Sequence, residues 1–254
     1  MPAPPIALVT GAAQRIGHAL AVDLAAHGWG IGLHCHTSVD AAERLAAVLR
    51  GKGAQVAVLV ADLADSAAVE RLIPQCTAAL GPPTCLINNA SMFAYDDVAT
   101  LEPEIWDTQL AVNLKAPVFL AKAFAAALPA GTDGNVINIV DQRVWKPTPR
   151  FFSYAVSKSG LWSATRTLAQ ALAPRVRVNA IGPGPVLKST HQSEEEFARQ
   201  IEATILQRGT TPQEIAKAIR FILDAPAMTG QMIALDGGQH LAWETPDVKR
   251  APRG

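Results

Sequence analysis

Along the 254 residues, short runs rich in valine, isoleucine and leucine alternate with longer stretches in which alanine and leucine return every three or four positions. Ile6–Val9, Gly30–His34, Gln55–Val60, Cys85–Asn88, Asn135–Val140, Arg177–Ala180 and Gln231–Leu235 read as strands. Between them, Ile16–His27, Asp40–Arg50, Ala67–Ala79, Trp106–Leu128, Tyr154–Ala173 and Pro212–Leu223 carry the spacing of amphipathic helices. Several strands are apolar throughout rather than alternating, which suits a parallel sheet covered on both faces. The rhythm predicts an α/β fold, a Rossmann-type doubly wound parallel sheet of about seven strands with helices on both faces. No linker, repeat or low-complexity stretch divides the chain, so residues 1–254 read as one domain. Thr211-Pro-Gln-Glu214 is a strong helix start, with threonine at the N-cap, proline at N1 and glutamate at N3. Pro185–Arg208 interrupts the alternation and reads as a substrate flap, its polar Ser193-Glu-Glu-Glu196 opening a short helix. The tail Trp243–Gly254 reads either as disordered or as crossing a subunit interface.

Composition narrows the function. Lysine plus arginine number 22 and aspartate plus glutamate 22, so nothing in the charge invites nucleic acid or an anionic membrane. Cys35, Cys76 and Cys85 form an odd, unpatterned set without metal-ligand spacing, which points to a reducing, cytoplasmic setting and no metal. The N-terminus lacks a basic region before its short apolar run, so no signal peptide is read there. The longest uncharged segment, Leu72 to Tyr95, is too broken by proline, glycine and asparagine for a membrane helix, and a soluble protein is expected.

Chemistry enters directly after the first strand, at Thr10-Gly-Ala-Ala-Gln-Arg-Ile-Gly17. Gly11 permits a tight turn, and Gly17 permits close packing of the following helix. The free N–H groups and positive dipole end of that helix suit a pyrophosphate. After the second strand, where an acid would bind the ribose of NAD, stands Leu33-His-Cys-His-Thr-Ser38. No carboxylate there repels a 2′-phosphate, whereas His34, His36, Thr37 and Ser38 can donate to one and Arg15 adds a cation. NADPH is therefore the expected cofactor. The His34/His36 pair also reads as a strand-end surface pair, or as a metal site lacking a third ligand. Asp62 reads as an adenine contact or as the acid opening the next helix. Further on, Tyr154 and Lys158 share one helical face, where an ammonium favours phenolate, and Asp141 precedes them.

The turn, Asn88-Asn-Ala, Asn113, Tyr154-x-x-x-Lys158 and Pro183-Gly, in this order and spacing, resemble the short-chain dehydrogenases/reductases from Ile6 to Gly238. The resemblance implies that Tyr154 passes the substrate proton, that Lys158 lowers its pKa and holds the nicotinamide ribose, and that Asn113 supports a proton-relay water. It implies cofactor contacts from Gly11, Arg15, Ile16, Gly17, His34, His36, Thr37, Ser38, Asp62, Leu63, Asn89, Ala90, Lys158, Pro183, Gly184 and Val186. Relatives commonly form homotetramers through the two long helices Trp106–Leu128 and Tyr154–Ala173. Three features depart from the common pattern: Arg15 replaces the middle glycine of many members, Ser91 follows Asn-Asn-Ala, and Asp141 stands where most have the catalytic serine. With the segment after strand two, these are similar to pteridine reductases, especially the bacterial dihydromonapterin/dihydrofolate reductases, although some pteridine reductases carry arginine where Thr37 stands.

That likeness implies NADPH-dependent reduction of a dihydropterin to its tetrahydro form, with Arg15, Ser91, Phe93, Asp141 and Tyr154 around the substrate. A pterin takes hydride on a ring carbon and a proton on a ring nitrogen, and a carboxyl group can bond its N–H edge or help relay the proton. Phe93 then stacks on the flat ring; it also reads as a core aromatic, and Asp141 as a loop cap. Arg143 and Trp145 do not stand out from surface loop residues. Two other functions stay open: a general carbonyl or 3-oxoacyl reductase, and a non-catalytic dinucleotide sensor.

Overall fold

In the computed structural model, which describes residues 4–189 and 192–243, the first strand is β1 (Ile6–Val9), buried on both faces. Side chains alternate across a strand. Ala7 and Val9 accordingly join one core layer while Ile6 and Leu8 join the other. The same logic repeats through β2 (Gly30–Cys35), β3 (Val56–Val60), β4 (Cys85–Asn88), β5 (Gly134–Ile139), β6 (Val176–Pro183) and β7 (Met232–Leu235). All seven form one sheet in the order β3-β2-β1-β4-β5-β6-β7, and each neighbouring pair is parallel. β6 outruns its expected length because its pairing with β7 continues to Pro183 opposite Leu235.

Helices α1 (Arg15–Ala26), α2 (Val39–Gly51) and α8 (Pro212–Leu223) cover one face, and Leu20, Leu24, Leu45, Leu49, Ile215 and Ile219 fill it. On the other face α3 (Ser66–Leu80) and α5 (Ala116–Ala127) supply Leu72, Ile73, Leu120 and Phe124. Full burial of Phe124 contributes about 2–3 kcal/mol. The remaining helices are α4 (Pro103–Leu110), α6 (Phe152–Leu172) and α7 (Glu194–Glu202) in the flap.

Trp106–Leu128, expected as one helix, is α4 and α5 joined through a π-helical segment, Ala111–Lys115. Residues 103–127 are long and apolar enough to cross a membrane by length and composition, contrary to the reading that no segment is; a third of the most apolar window is buried here. Helix starts differ in a way that bears on the site. Asp65 caps α3, and capping boxes close α7 (Ser193 with Glu196) and α8 (Thr211 with Glu214). The start of α1 has neither a side-chain cap nor an acid in its first turn. The tail expected over 243–254 lies outside the described residues from 244 onward.

Candidate active site

The strand order reverses around β1, between β2 and β4, and there a cleft of about 1270 Å³ opens beyond the carboxyl ends of the strands. It exceeds the volume a single small ligand needs, roughly 300–1,000 Å³. Its floor is the glycine turn. The Thr10 hydroxyl donates to the Ile87 carbonyl (3.3 Å) and accepts from the N–H groups of Asn89 (2.9 Å) and Ala90 (3.0 Å). The Asn89 amide answers by donating to the Thr10 and Gly11 carbonyls (2.8 and 3.1 Å). Gly11 has φ +62°, and a Cβ on Gly17 would meet the Gly11 oxygen at 2.1 Å, so neither position accepts a side chain. The uncapped N–H groups of α1 face this cleft through Ile16 and Gly17, a ready anion site. Arg15, at φ 54°, donates to the carbonyls of Leu187 (3.1 Å) and Lys188 (3.0 Å) and so ties the turn to the flap.

At the next bay, His36, Ser38, Asp62 and Leu63 line the cleft, whereas Thr37 is exposed outside its lining. His34 departs from its expected role as a phosphate donor. The Gly11 N–H donates to its Nδ1 (3.1 Å), so the proton sits on Nε2, which donates to the Ala61 carbonyl (3.1 Å). Burial, reinforced by the neighbouring His36 and opposed by the Ala61 hydrogen bond, lowers its pKa to about 4. His34 is a neutral strut between the turn and the end of β3, without a nitrogen to spare for phosphate or metal. His36 lies 3.8 Å from the Asp62 carboxylate, both well exposed, and such a pair is worth little. One Asp62 oxygen accepts from the Ala64 N–H (2.9 Å), so the residue closes a turn as well as lining the cleft.

Across the cleft, Asp141 divides its two oxygens. Oδ1 accepts from the backbone N–H of Arg143 (2.8 Å) and caps a 3₁₀ turn, Gln142–Val144. Oδ2 accepts from the Tyr154 hydroxyl (3.0 Å) and lies 3.5 Å from an Arg143 guanidinium nitrogen. The two readings of this residue, loop cap and chemical group, therefore both hold geometrically, one oxygen each. Tyr154 is buried, and burial first, then the charge of Asp141, push its pKa well above the usual phenol value, with Arg143 pulling the other way. That outcome differs from the lowered tyrosine pKa the resemblance implies: here the phenol holds its proton. Lys158 donates to the Ile139 carbonyl (2.8 Å), and burial lowers its pKa to about 8 against the opposing pull of Asp141.

Asn113 lies outside the cleft lining, on the π segment. Its side-chain oxygen accepts from the Met92 N–H (2.8 Å) and the Ser91 hydroxyl (3.1 Å), and its amide donates to the Met92 carbonyl (2.9 Å) and Ser157 (3.1 Å). The side chain is thus saturated, and a water held here must use other groups. A second clamp works beside it. The buried Asp96 accepts from the Ser153 backbone N–H (3.1 Å) and from its hydroxyl, to which Gln109 also donates. Together the clamps fix the loop after β4, which carries Phe93, to the start of α6, which carries Tyr154.

Phe93 is stacked on Phe151 (4.4 Å between centroids) and meets Tyr154 edge-on (4.7 Å). Phe151 was not singled out from sequence; its φ of 56° turns the chain into α6 and brings its ring to the wall. Arg143, its side chain 19% exposed, sits 5.3 to 6.0 Å from the rings of Phe151, Phe93 and Tyr154. Trp145, by contrast, packs edge-on against His240 and does not line the cleft. Ser91, Ala90, Pro183, Gly184 and Val186 complete the expected lining. An aromatic wall, a buried phenol, a carboxyl and two cations side by side can hold a flat polar ring and deliver a proton to it.

The family described as enoyl-(acyl carrier protein) reductase matches residues 11–240. The chain is 31% identical to pteridine reductase 1 of Leishmania tarentolae, over 94% of this chain and 98% of that one. It is 32% identical to a 3-oxoacyl-(acyl-carrier-protein) reductase of Synechocystis, over 92% and 96%. Among solved structures, FolM alternative dihydrofolate reductase 1 from Brucella canis, complexed with NADP, superposes with a TM-score of 0.94 at 50% identity, covering 96% of this chain and 97% of that one. The chain belongs to the short-chain dehydrogenase/reductase superfamily of oxidoreductases.

Proposed function

We propose that this short-chain dehydrogenase/reductase binds NADPH and reduces the C=N bond of a dihydropterin, giving the tetrahydropterin. The donor set fits the dinucleotide: an uncapped α1 start and a side-chain-free turn for the pyrophosphate, then His36 and Ser38 with no acid aimed at a 2′-phosphate. The NADP in the Brucella canis relative supports the same choice. Bound there, the cofactor supplies the hydride for the ring carbon. Tyr154 holds the proton destined for the ring nitrogen, and its raised pKa keeps that proton in place until substrate arrives. Lys158 and Arg143 are the cations that stabilise the phenolate left behind. Asp141 orients the hydroxyl and accepts from the substrate's N–H edge, while Phe93, backed by Phe151, lies against the ring.

The observation that carries this reading is the Asp141–Tyr154 hydrogen bond. A ketone needs a neutral hydroxyl beside the tyrosine; a carboxyl at that place suits a substrate that offers N–H groups. Consumption of NADPH with a dihydropterin, dihydrofolate and an activated ketone tests it. Dihydropterins should be turned over at least about tenfold more efficiently, the worth of one charge-assisted contact; a ketone preference would restore the carbonyl-reductase reading. The proposal includes a homotetramer, in which mates cover the apolar faces that leave Phe119 of α5 and Val156 of α6 exposed. Light scattering showing a monomer would remove that part alone.

A further inference from the structure

The cleft has more cations than its chemistry uses. Arg15 is engaged by the flap carbonyls, Lys158 by Ile139, and Arg143 by Asp141 and the aromatic wall. Two further guanidinium groups line the cleft: Arg150, exposed on the loop leading into α6, and Arg199, exposed on flap helix α7. They come from opposite sides of the substrate end, beside Phe151 and Phe197. Among the described residues no carboxylate lies within 4.0 Å of either. The nearest acid by sequence, Glu196, spends its carboxylate on the Ser193 N–H in the capping box. In a chain whose formal charge is zero, two unpaired arginines at one mouth are a local excess rather than a general trend.

We infer that Arg150 and Arg199 form a carboxylate subsite, and that the substrate is a dihydropterin with an acidic tail, the dihydrofolate class, rather than one with a neutral polyol side chain. The inference rests on the proposed dihydropterin reduction and names the substrate within it. A guanidinium presents a planar fork of donors that matches a carboxylate and gains little from a hydroxyl. The flap also offers Phe197 and the Gln192–Gln200 amide pair (2.9 Å), an apolar and hydrogen-bonding path suited to the aromatic amide linking a pterin to its acidic end. The pterin ring, held by Asp141, Tyr154 and Phe93, needs neither arginine.

The test compares kcat/KM for dihydrofolate and for dihydrobiopterin, whose side chain is neutral, in the wild type, Arg150→Gln, Arg199→Gln and the double variant. The wild type should favour dihydrofolate. Each single substitution should reduce that preference about threefold and the double about tenfold, as expected for exposed charged contacts. The loss should appear in KM for dihydrofolate, with dihydrobiopterin unchanged, and the wild-type preference should shrink as salt rises. Equal preference in all four proteins, or equal damage to both substrates, overturns the subsite while leaving dihydropterin reduction standing. Failure of the wild type to reduce either compound overturns the proposed function itself, and the subsite with it.

Discussion

The glycine-turn end of the cleft and the Tyr154 end use different materials. Around Gly11 the contacts are made by backbone carbonyls and N–H groups, held by the neutral side chains of Thr10, Asn89 and His34. Around Tyr154 they are made by ionisable side chains set against one another: Asp141, Arg143 and Lys158 within a buried, aromatic-walled pocket. Backbone dipoles cannot be retuned one residue at a time, and they bind a phosphate whatever the second ligand is. Opposed charges can be retuned by one substitution, so selectivity for the reaction is concentrated at the second end. Damage at the first should therefore register as stability or cofactor choice, and damage at the second as turnover.

The largest contrast is expected from Tyr154→Phe. Removing the proton donor should lower dihydropterin turnover about 10³-fold, roughly 4 kcal/mol of barrier, while NADPH affinity by fluorescence titration stays within about twofold of wild type. A parallel loss of cofactor affinity would show that the two ends are not separable.

At the other end, His34 links stability to pH. Its folded pKa of about 4 lies below the unfolded value of 6.5, so the unfolded chain binds the extra proton first and stability is lost as pH falls from 6.5 toward 4. The full loss is of the order of 3 kcal/mol. Urea unfolding across that range should show a steeper acid decline for the wild type than for His34→Gln; identical slopes would remove the strut from the account.

Asp141→Ala should reduce dihydropterin turnover about 10²-fold with cofactor binding intact, and Asp141→Ser should raise the ratio of ketone to pterin reduction. The same substitution carries a pH signature. Lys158 loses its proton as pH rises through about 8, so kcat/KM should fall above that point. Without the Asp141 charge that supports the ammonium, the alkaline fall should move to lower pH; an unmoved limb would detach Lys158 from this cluster. The smallest effect is expected from Ser38→Asp, which should cut the preference for NADPH over NADH about tenfold by repelling the 2′-phosphate. Thr37→Asp should do less, since Thr37 is exposed outside the cleft lining, and ratios of kcat/KM for the two cofactors rank the pair.

The strands and the Thr211–Glu214 helix start were legible because each is written in local sequence: burial on both faces, or a cap and its reciprocal acid. Asp141, Tyr154 and Phe93 were legible as candidates because they sit at fixed places in a known order of motifs. The π segment at Ala111–Lys115 was not, since one extra residue in a turn leaves the apolar periodicity nearly unchanged. His34 misled for a related reason: its identity suggests a donor, but its partners, Gly11 and Ala61, are set by neighbouring strands. Arg143 and Phe151 became visible only when the loops after β4 and β5 were brought together at the start of α6.

The split duty of Asp141 also bears on how such a site changes over generations. A serine has one side-chain oxygen where aspartate has two, so replacing Asp141 leaves either the 142–144 turn or the Tyr154 hydroxyl with a poorer partner. The passage between an acid-bearing and a hydroxyl-bearing site is then a valley rather than a single step. A lineage crossing it must first acquire a turn that stands without its cap, and chains found midway should carry that repair before they carry the new chemistry.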